Sequence, residues 1–297
     1  MAASVPAKEY GLVSPDGTLS VQVRVAEKVT WSLSAGNVSL LAPSEIAMTL
    51  SDGRRAGVGS KVKKLVKSAG DETLRSLYFK RSTVRNTYNQ LKLDFKDGTS
   101  LVFRLYDDGA AYRFAYAGKA CEVVDERAEF RFPEDWSLYV PYVCQHTQTL
   151  ESQFYNSFEN TYAHHRLSGW RKDRLAFLPL TVEASGGIKL CITESDLLDY
   201  PGMYLYNGDG DTALEARFAP YPKDIRQGGH NMLQGEVQTR EGYIARVEGP
   251  RSFPWRAVIV AREDKQLLDN DMVYRLATPP AEGDWSWGKP GKVAWDW

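Results

Sequence analysis

Hydrophobic and polar residues alternate with a period of two along much of the chain. The alternation is clearest between residues 91 and 116, where three alternating segments are separated by turns at Lys96-Asp97-Gly98 and Asp107-Asp108-Gly109. Because successive side chains of a strand point to opposite faces, this pattern indicates strands with one buried and one wet face. Asp-Gly turns between such segments are typical of β-hairpins, so the pattern predicts a three-stranded antiparallel meander.

The same pattern returns later in the chain, and helical patterns are rare. Residues 177–182 and 188–192 flank Ser185-Gly186-Gly187 and predict another hairpin. Residues 263–276 carry the best helical spacing and predict one or two short turns. Many short strands separated by turns predict an all-β fold, namely a large antiparallel β-super-sandwich with few short helices. No linker rich in Pro, Gly or Ser divides residues 10–275.

Composition and charge exclude several classes of protein. The chain has 297 residues, of which 43% are hydrophobic and 25% charged, as in a packed globular protein. Lys and Arg number 37 against 38 Asp and Glu, so we expect no nucleic-acid partner and no anionic membrane surface as partner. The sequence shows no apolar run of 18 residues and no signal-peptide pattern over residues 1–8, which predicts no membrane span.

The cysteines form no metal-binding or redox motif. They are far apart and lack CxxC spacing: Cys121, Cys144 and Cys191. An odd number argues against a fully paired disulfide framework, although a single bridge stays compatible with the sequence. We therefore predict that each cysteine is a small buried apolar residue, not a nucleophile or a zinc ligand.

The last fourteen residues are unusually rich in tryptophan. The aromatic residues of this segment are Trp285, Trp287, Trp295 and Trp297. Burying each such side chain is worth about 1.5–3 kcal/mol, so the segment is expected to require a partner surface. Without that partner, we expect the chain to self-associate through these tryptophans.

Several segments, in chain order, resemble glycoside hydrolase family 97. The carboxy-terminal run Lys289-Pro290-Gly291-Lys292-Val293-Ala294-Trp295-Asp296-Trp297 resembles the motif that leads into the first strand of that family's (β/α)8 barrel. The other similar segments are residues 14–17, 194–197, 199–203, 251–259 and 267–277. Together these motifs are specific, although each one alone would be weak.

The resemblance implies a domain organisation. The family consists of an amino-terminal, galactose-mutarotase-like β-super-sandwich, a catalytic barrel and a small carboxy-terminal β domain. We accordingly expect a disordered or extended segment at 1–9, the super-sandwich at 10–280, and a linker and barrel start at 281–297. The barrel would be a missing partner domain, and the four tryptophans would form its interface. Family members also suggest a periplasmic or secreted bacterial protein.

The resemblance also implies a function. The family hydrolyses α-glucosides or α-galactosides and uses calcium. Glycoside hydrolysis needs two carboxyl groups, which in this family come from the barrel, so we name no catalytic residue and expect this chain alone to be inactive. Glu194 matches the calcium ligand that the amino-terminal domain contributes, which would be half a site at best. Tyr200 is a weaker candidate for lining the oligosaccharide cleft.

Two other functions stay open on the residues alone. A free-standing carbohydrate-binding module would stack exposed aromatic residues on sugar faces. An enzyme similar to an aldose epimerase would need a histidine facing a carboxylate in a cleft. The histidines are His146, His164, His165 and His230, and we expect structural or surface roles for them. The adjacent His164 and His165 would face opposite ways on a strand.

Overall fold

Strands dominate the regular structure of the protein. The computed structural model describes residues 7–76, 78–144 and 149–294. The strands of the first half are β1 (Lys8–Val13), β2 (Leu19–Val25), β3 (Val29–Ala35), β4 (Val38–Leu50), β5 (Arg55–Ala56), β6 (Val62–Arg75), β7 (Thr83–Phe95), β8 (Thr99–Tyr106), β9 (Gly109–Tyr116), β10 (Cys121–Arg131) and β11 (Ser137–Val140). Those of the second half are β12 (Ala163–Arg166), β13 (Leu180–Glu183), β14 (Lys189–Ser195), β15 (Met203–Tyr206), β16 (Ala213–Phe218), β17 (Pro222–Gly228), β18 (Gln234–Arg240), β19 (Ala245–Val247), β20 (Arg251–Ser252) and β21 (Trp255–Ala261).

The helices are short, as predicted. Two α-helices follow the last strand, α1 (Asp264–Leu268) and α2 (Met272–Leu276), within the predicted helical segment. The 3-10 helices are Glu151–Phe154, Leu167–Gly169, Ser185–Gly187 and His230–Met232. Across the described ranges, none of the helices is long and apolar enough to cross a membrane.

The strands form two large sheets and one small ribbon. The nine-stranded sheet has the order β1-β2-β3-β4-β10-β16-β15, with β5 beside β4 and β19 beside β10. The ten-stranded sheet has the order β12-β11-β13-β14-β21-β9-β8-β7-β6, with β20 beside β9. Strands β17 and β18 form a separate two-stranded ribbon. Each of these pairs is antiparallel, so the predicted all-β antiparallel fold is confirmed.

The two large sheets share one hydrophobic core. Trp31 of the nine-stranded sheet is 1% exposed, and its ring lies 5.8 Å from that of Phe103 and 5.6 Å from that of Tyr112. Phe103 and Tyr112 belong to β8 and β9 of the ten-stranded sheet. The inward residues of both sheets therefore interdigitate, which confirms the sandwich architecture.

The predicted meander is formed by β7, β8 and β9. Its second turn leads into Gly109, which has φ +150°. A Cβ atom at this position would lie 2.4 Å from the carbonyl oxygen of Val258 on β21. Glycine is required here because β9 and β21 approach each other closely as neighbours in the sheet.

The outer face of the ten-stranded sheet is also partly covered. Trp255, Ala257 and Ile259 on β21 point outward and pack against Met272 and Leu276 of α2. Strand β21 is therefore buried on both faces, which explains why it is almost entirely apolar.

Some boundaries differ from the prediction. The hairpin around Ser185-Gly186-Gly187 begins only at Leu180, so Phe177 precedes it, and β14 extends to Ser195. Strand β12, at the edge of the ten-stranded sheet, lies within the stretch 151–171, which is rich in aromatic and polar residues and poor in alternation. Strand β1 already includes Lys8 and Glu9 of the predicted amino-terminal segment.

Candidate functional site

A cluster of charged side chains lies between the two sheets. Glu194 and Arg256 are directly opposite each other on β14 and β21, and Leu190 and Ile192, on the same face of β14 as Glu194, belong to the core. Glu126 approaches from β10 of the other sheet. The alternation of the strands thus places three charged residues where the sequence pattern calls for apolar ones.

Arg256 connects the two carboxylates. Its Nε donates to Glu126 Oε1 at 2.8 Å, and its Nη2 donates to Glu126 Oε2 at 2.7 Å. Its Nη1 donates to Glu194 Oε2 at 2.6 Å. The Arg256 side chain is 0% exposed and that of Glu126 3%, whereas that of Glu194 is 11% exposed. Glu194 is therefore the member of the cluster that is nearest to solvent.

Burial and the charges of neighbouring groups both shift the pKa values in the cluster. Burial raises the pKa of the Glu194 carboxyl, and the Arg256 guanidinium and the Met203 N–H oppose that rise. Burial acts to lower the pKa of Arg256, but the Glu126 carboxylate beside it holds that pKa above its ordinary value. When both glutamates are ionised, two carboxylates share one guanidinium, so the cluster carries one excess negative charge.

The loop after β14 closes this end of the cluster. The Met203 N–H donates to Glu194 Oε1 at 3.0 Å and to Oε2 at 3.1 Å. Asp196 has φ +66° and accepts hydrogen bonds from the backbone N–H and the hydroxyl of Thr278 at 2.9 Å each. Asp199 also lies in the left-handed region, with φ +47°. These contacts fix the loop in a strained conformation next to Glu194.

Tyr200 lies in this loop and contacts the cluster. Its hydroxyl donates to Glu126 Oε2 at 2.7 Å, and its ring makes edge contacts with Phe218 and Phe253. Burial, with the Glu126 carboxylate nearby, raises the pKa of Tyr200 well above its ordinary value. In the structure, the Tyr200 hydroxyl thus bonds a buried carboxylate of the chain itself. A contact between Tyr200 and substrate stays a prediction.

The donor set around Glu194 is compatible with part of a calcium site. Calcium takes six to eight oxygen ligands, and a glutamate supplies one or two of them. Glu194 Oε1 accepts only one shared backbone N–H among the described contacts, so it keeps lone-pair capacity. Among residues 7–76, 78–144 and 149–294, no group of three or more His, Cys, Asp or Glu side chains could hold a metal ion.

Sequence reasoning missed Glu126 and Arg256. A signal for Arg256 was present, because it shares the inward face of β21 with Val258 and Val260. A charged residue at an inward position of an apolar strand indicates a buried ion pair. Its partner Glu126 is 130 residues away in the chain, and no local pattern links the two.

The histidines among the described residues take structural or surface positions, as expected. His164 lies on β12, stacks on Tyr139 at 4.3 Å and bonds Glu183 Oε2 at 2.9 Å on an exposed surface. His165 bonds the hydroxyl of Tyr142 at 2.9 Å. His230 is exposed in a 3-10 turn. The remaining candidate, His146, lies outside the described residues.

The cysteines are less buried than predicted. All three are half-buried, and Cys121 and Cys191 are free thiols. Burial raises the pKa of the Cys191 thiol to about 11. Such a thiol is a poor nucleophile at neutral pH, and the absence of a catalytic role for Cys191 stays a prediction.

The tryptophan-rich segment is described in part. Trp287 is 77% exposed, and Trp285 is 38% exposed and donates from Nε1 to the carbonyl of Ala281 at 2.9 Å. The two rings lie 6.3 Å apart. Trp295 and Trp297 lie outside the described residues. The interface role of the four tryptophans stays a prediction.

Comparisons with known proteins agree on one family. The family model described as "Glycosyl-hydrolase 97 N-terminal" matches residues 12–279. A retaining alpha-galactosidase of Bacteroides thetaiotaomicron is 45% identical over 292 residues, which are 98% of this chain and 44% of that protein. The chain thus spans less than half the length of this curated relative.

Solved structures show the same fold. A glycoside hydrolase family 97 enzyme from Pseudoalteromonas sp. strain K8, solved in complex with acarbose, superimposes with a TM-score of 0.76 at 20% identity, covering 95% of this chain and 40% of that one. A beta-arabinopyranosidase superimposes with a TM-score of 0.67 at 19% identity, covering 85% and 40%. With the family model matched over most of its length, the chain belongs to glycoside hydrolase family 97 and corresponds to the amino-terminal domain of that family.

Proposed function

We propose that the chain is the non-catalytic amino-terminal domain of a calcium-dependent glycosidase that acts on α-galactosides or α-glucosides. The observation that carries the proposal is the charge balance at Glu194, where two carboxylates share the single guanidinium of Arg256. A partly buried carboxylate with excess negative charge is stabilised by a cation. The identity with a retaining alpha-galactosidase favours α-galactosides as substrates.

In this proposal, Glu194 supplies one or two oxygens to calcium, and a catalytic domain supplies the others. When bound, the ion polarises the substrate or positions water. The residues of this chain hold the Glu194 carboxylate in place and exclude water from its inner side. The chain's own partners are then that catalytic domain, which covers Trp285, Trp287, Trp295 and Trp297, and an oligosaccharide substrate. Localisation in the bacterial periplasm or outside the cell is part of the same proposal.

The test compares the 297-residue chain with the full-length polypeptide that carries it. We expect the chain alone to show no turnover of an aryl α-galactoside and at most millimolar calcium affinity by calorimetry. In the full-length protein, Glu194→Gln should weaken calcium binding at least about tenfold, whereas Glu9→Gln, at an exposed position of β1, should not. Turnover by the chain alone, or unchanged affinity in Glu194→Gln, would reject the proposal.

A second candidate function is favoured by a separate observation. Tyr155, Phe158 and Tyr162 are 55%, 58% and 51% exposed and lie within eight positions of one another. Phe158 has φ +57°, and its N–H donates to Asn156 Oδ1 at 2.8 Å. The Phe158 ring contacts those of Phe177 and Tyr204, yet more than half of the residue stays exposed. A bulky residue held in the left-handed region at an exposed position indicates a functional constraint. We propose these three rings as a carbohydrate-stacking face, which a free-standing binding module would also require.

A further inference from the structure

We propose that Arg256, anchored by Glu126, is a positioning residue that fixes the carboxylate of Glu194 in the orientation in which it serves as a ligand. This inference rests on the proposed function of Glu194 and adds two residues to it.

The hydrogen bonds of Arg256 leave its guanidinium little freedom. Nε and Nη2 each bond one oxygen of Glu126, at 2.8 and 2.7 Å, so the pair is bidentate. Because the guanidinium is planar and two of its nitrogens are bonded to Glu126, the orientation of the whole group is fixed. The N–H groups of the third nitrogen, Nη1, therefore point in fixed directions. That nitrogen reaches Glu194 Oε2 at 2.6 Å. Glu126 on one sheet therefore acts through Arg256 on the orientation of Glu194 on the other, together with the Met203 N–H that bonds both Glu194 oxygens.

The three residues lie on strands and not on loops. Glu194 and Arg256 are a direct cross-strand pair, and each of their strands is hydrogen-bonded on both sides in the sheet. The guanidinium carbon of Arg256 also lies 4.8 Å from the ring centre of Phe218 on the opposite sheet. A site carried by paired strands with packed neighbours holds its geometry more accurately than a site carried by a loop.

The charges of the cluster leave the Glu194 carboxylate able to bind a cation. Glu126 takes two of the three hydrogen bonds of Arg256 and so compensates most of its charge, and the Tyr200 hydroxyl completes the shell of Glu126 at 2.7 Å. Arg256 therefore orients one oxygen of Glu194 without cancelling its negative charge. If Glu126 were neutral, Arg256 would compensate Glu194 instead, and Glu194 would attract a cation less strongly.

The experiment measures calcium affinity by calorimetry with calcium chloride on the full-length polypeptide, together with the free energy of unfolding of each variant. Arg256→Lys keeps the charge but loses the fork, and Glu126→Gln keeps the shape but removes the compensating charge. Arg131→Lys is the matched control, because Arg131 bonds Glu129 on the same strand as Glu126 and Asp211 without contact to Glu194. Glu194→Gln reports on the ligand itself.

We expect Arg256→Lys and Glu126→Gln each to weaken calcium affinity at least about tenfold, as outer-shell changes do, while Arg131→Lys leaves it unchanged. If Arg256→Lys does not fold, Glu126→Gln decides alone. Unchanged affinity in Glu126→Gln, with a loss in Glu194→Gln, would overturn the positioning role and leave the proposed function intact. Unchanged affinity in Glu194→Gln would overturn the proposed function as well.

Discussion

Glu194 and Arg256 face each other directly across β14 and β21, and Arg256 Nη1 donates to Glu194 Oε2 at 2.6 Å. This contact places a carboxylate that the family resemblance singles out at the edge of a buried ionic cluster. The cluster spans both sheets, because Glu126 belongs to β10. The same residues therefore contribute to the packing of the two sheets and to the environment of the candidate ligand.

Replacing Arg256 by alanine should destabilise the chain strongly. The substitution leaves Glu126 without its bidentate partner in the core, and breaking a buried ion pair in this way costs about 3–5 kcal/mol. We expect this loss in the free energy of unfolding measured by urea titration. The control is Arg226→Ala on β17, where Arg226 is 69% exposed and pairs with Glu236, and where the loss should be about 1 kcal/mol or less. Equal losses in both variants would contradict the prediction.

The meander shows what can be predicted from the sequence. The strands β7, β8 and β9 and the turns between them are formed by residues that are neighbours in the chain. Their structure can therefore be predicted from the local sequence pattern. The charged cluster of Glu126, Glu194 and Arg256, in contrast, cannot be predicted from a local pattern. Glu126 and Arg256 are 130 residues apart, and their contact depends on which strands face each other across the sandwich.

Glu194 illustrates an intermediate case. Family resemblance identifies the residue, and β14 continues two residues beyond the predicted 188–192 segment to include Glu194, next to its last residue, Ser195. The side chain consequently points between the sheets as a member of an alternating strand. Only the pairing of β14 with β21, which joins residues far apart in sequence, shows that Arg256 is its neighbour.

The reactivity of Cys191 should depend steeply on pH. Burial raises the pKa of its thiol to about 11, so at pH 8 about one thiol in a thousand is ionised. Because a raised pKa keeps the unreactive thiol form, alkylation of the folded chain by iodoacetamide should be slow at pH 8 and rise about tenfold per pH unit. Peptide mass spectrometry at several pH values measures the rate at this site.

The unfolded chain provides the control for Cys191. In urea at pH 8, the thiol should return to an ordinary pKa near 8.5 and react rapidly. Alkylation of folded and unfolded Cys191 at the same rate would show that burial does not protect this thiol.

The exposed aromatic face makes a separate prediction. We expect a galactomannan in an affinity gel to retard the 297-residue chain, because its sugar rings can stack on Tyr155, Phe158 and Tyr162. Phe158→Ala should weaken this binding by about 1 kcal/mol, which is roughly fivefold in affinity. Tyr139→Ala is the control, since Tyr139 is a 37% exposed aromatic residue on β11, outside the proposed stacking face. Migration of the unchanged chain without retardation would count against the second candidate function.

Self-association of the chain should depend on Trp287. This side chain is 77% exposed, and a large apolar surface left in water favours association with a second copy when its proposed domain partner is not present. Sedimentation velocity of the 297-residue chain should show a concentration-dependent larger species, and Trp287→Ser should shift it toward monomer. The matched control is Leu268→Ser, because Leu268 on α1 is 86% exposed but lies outside the tryptophan-rich segment. A monomeric unchanged chain, or an equal effect of both substitutions, would show that Trp287 does not form the proposed interface surface.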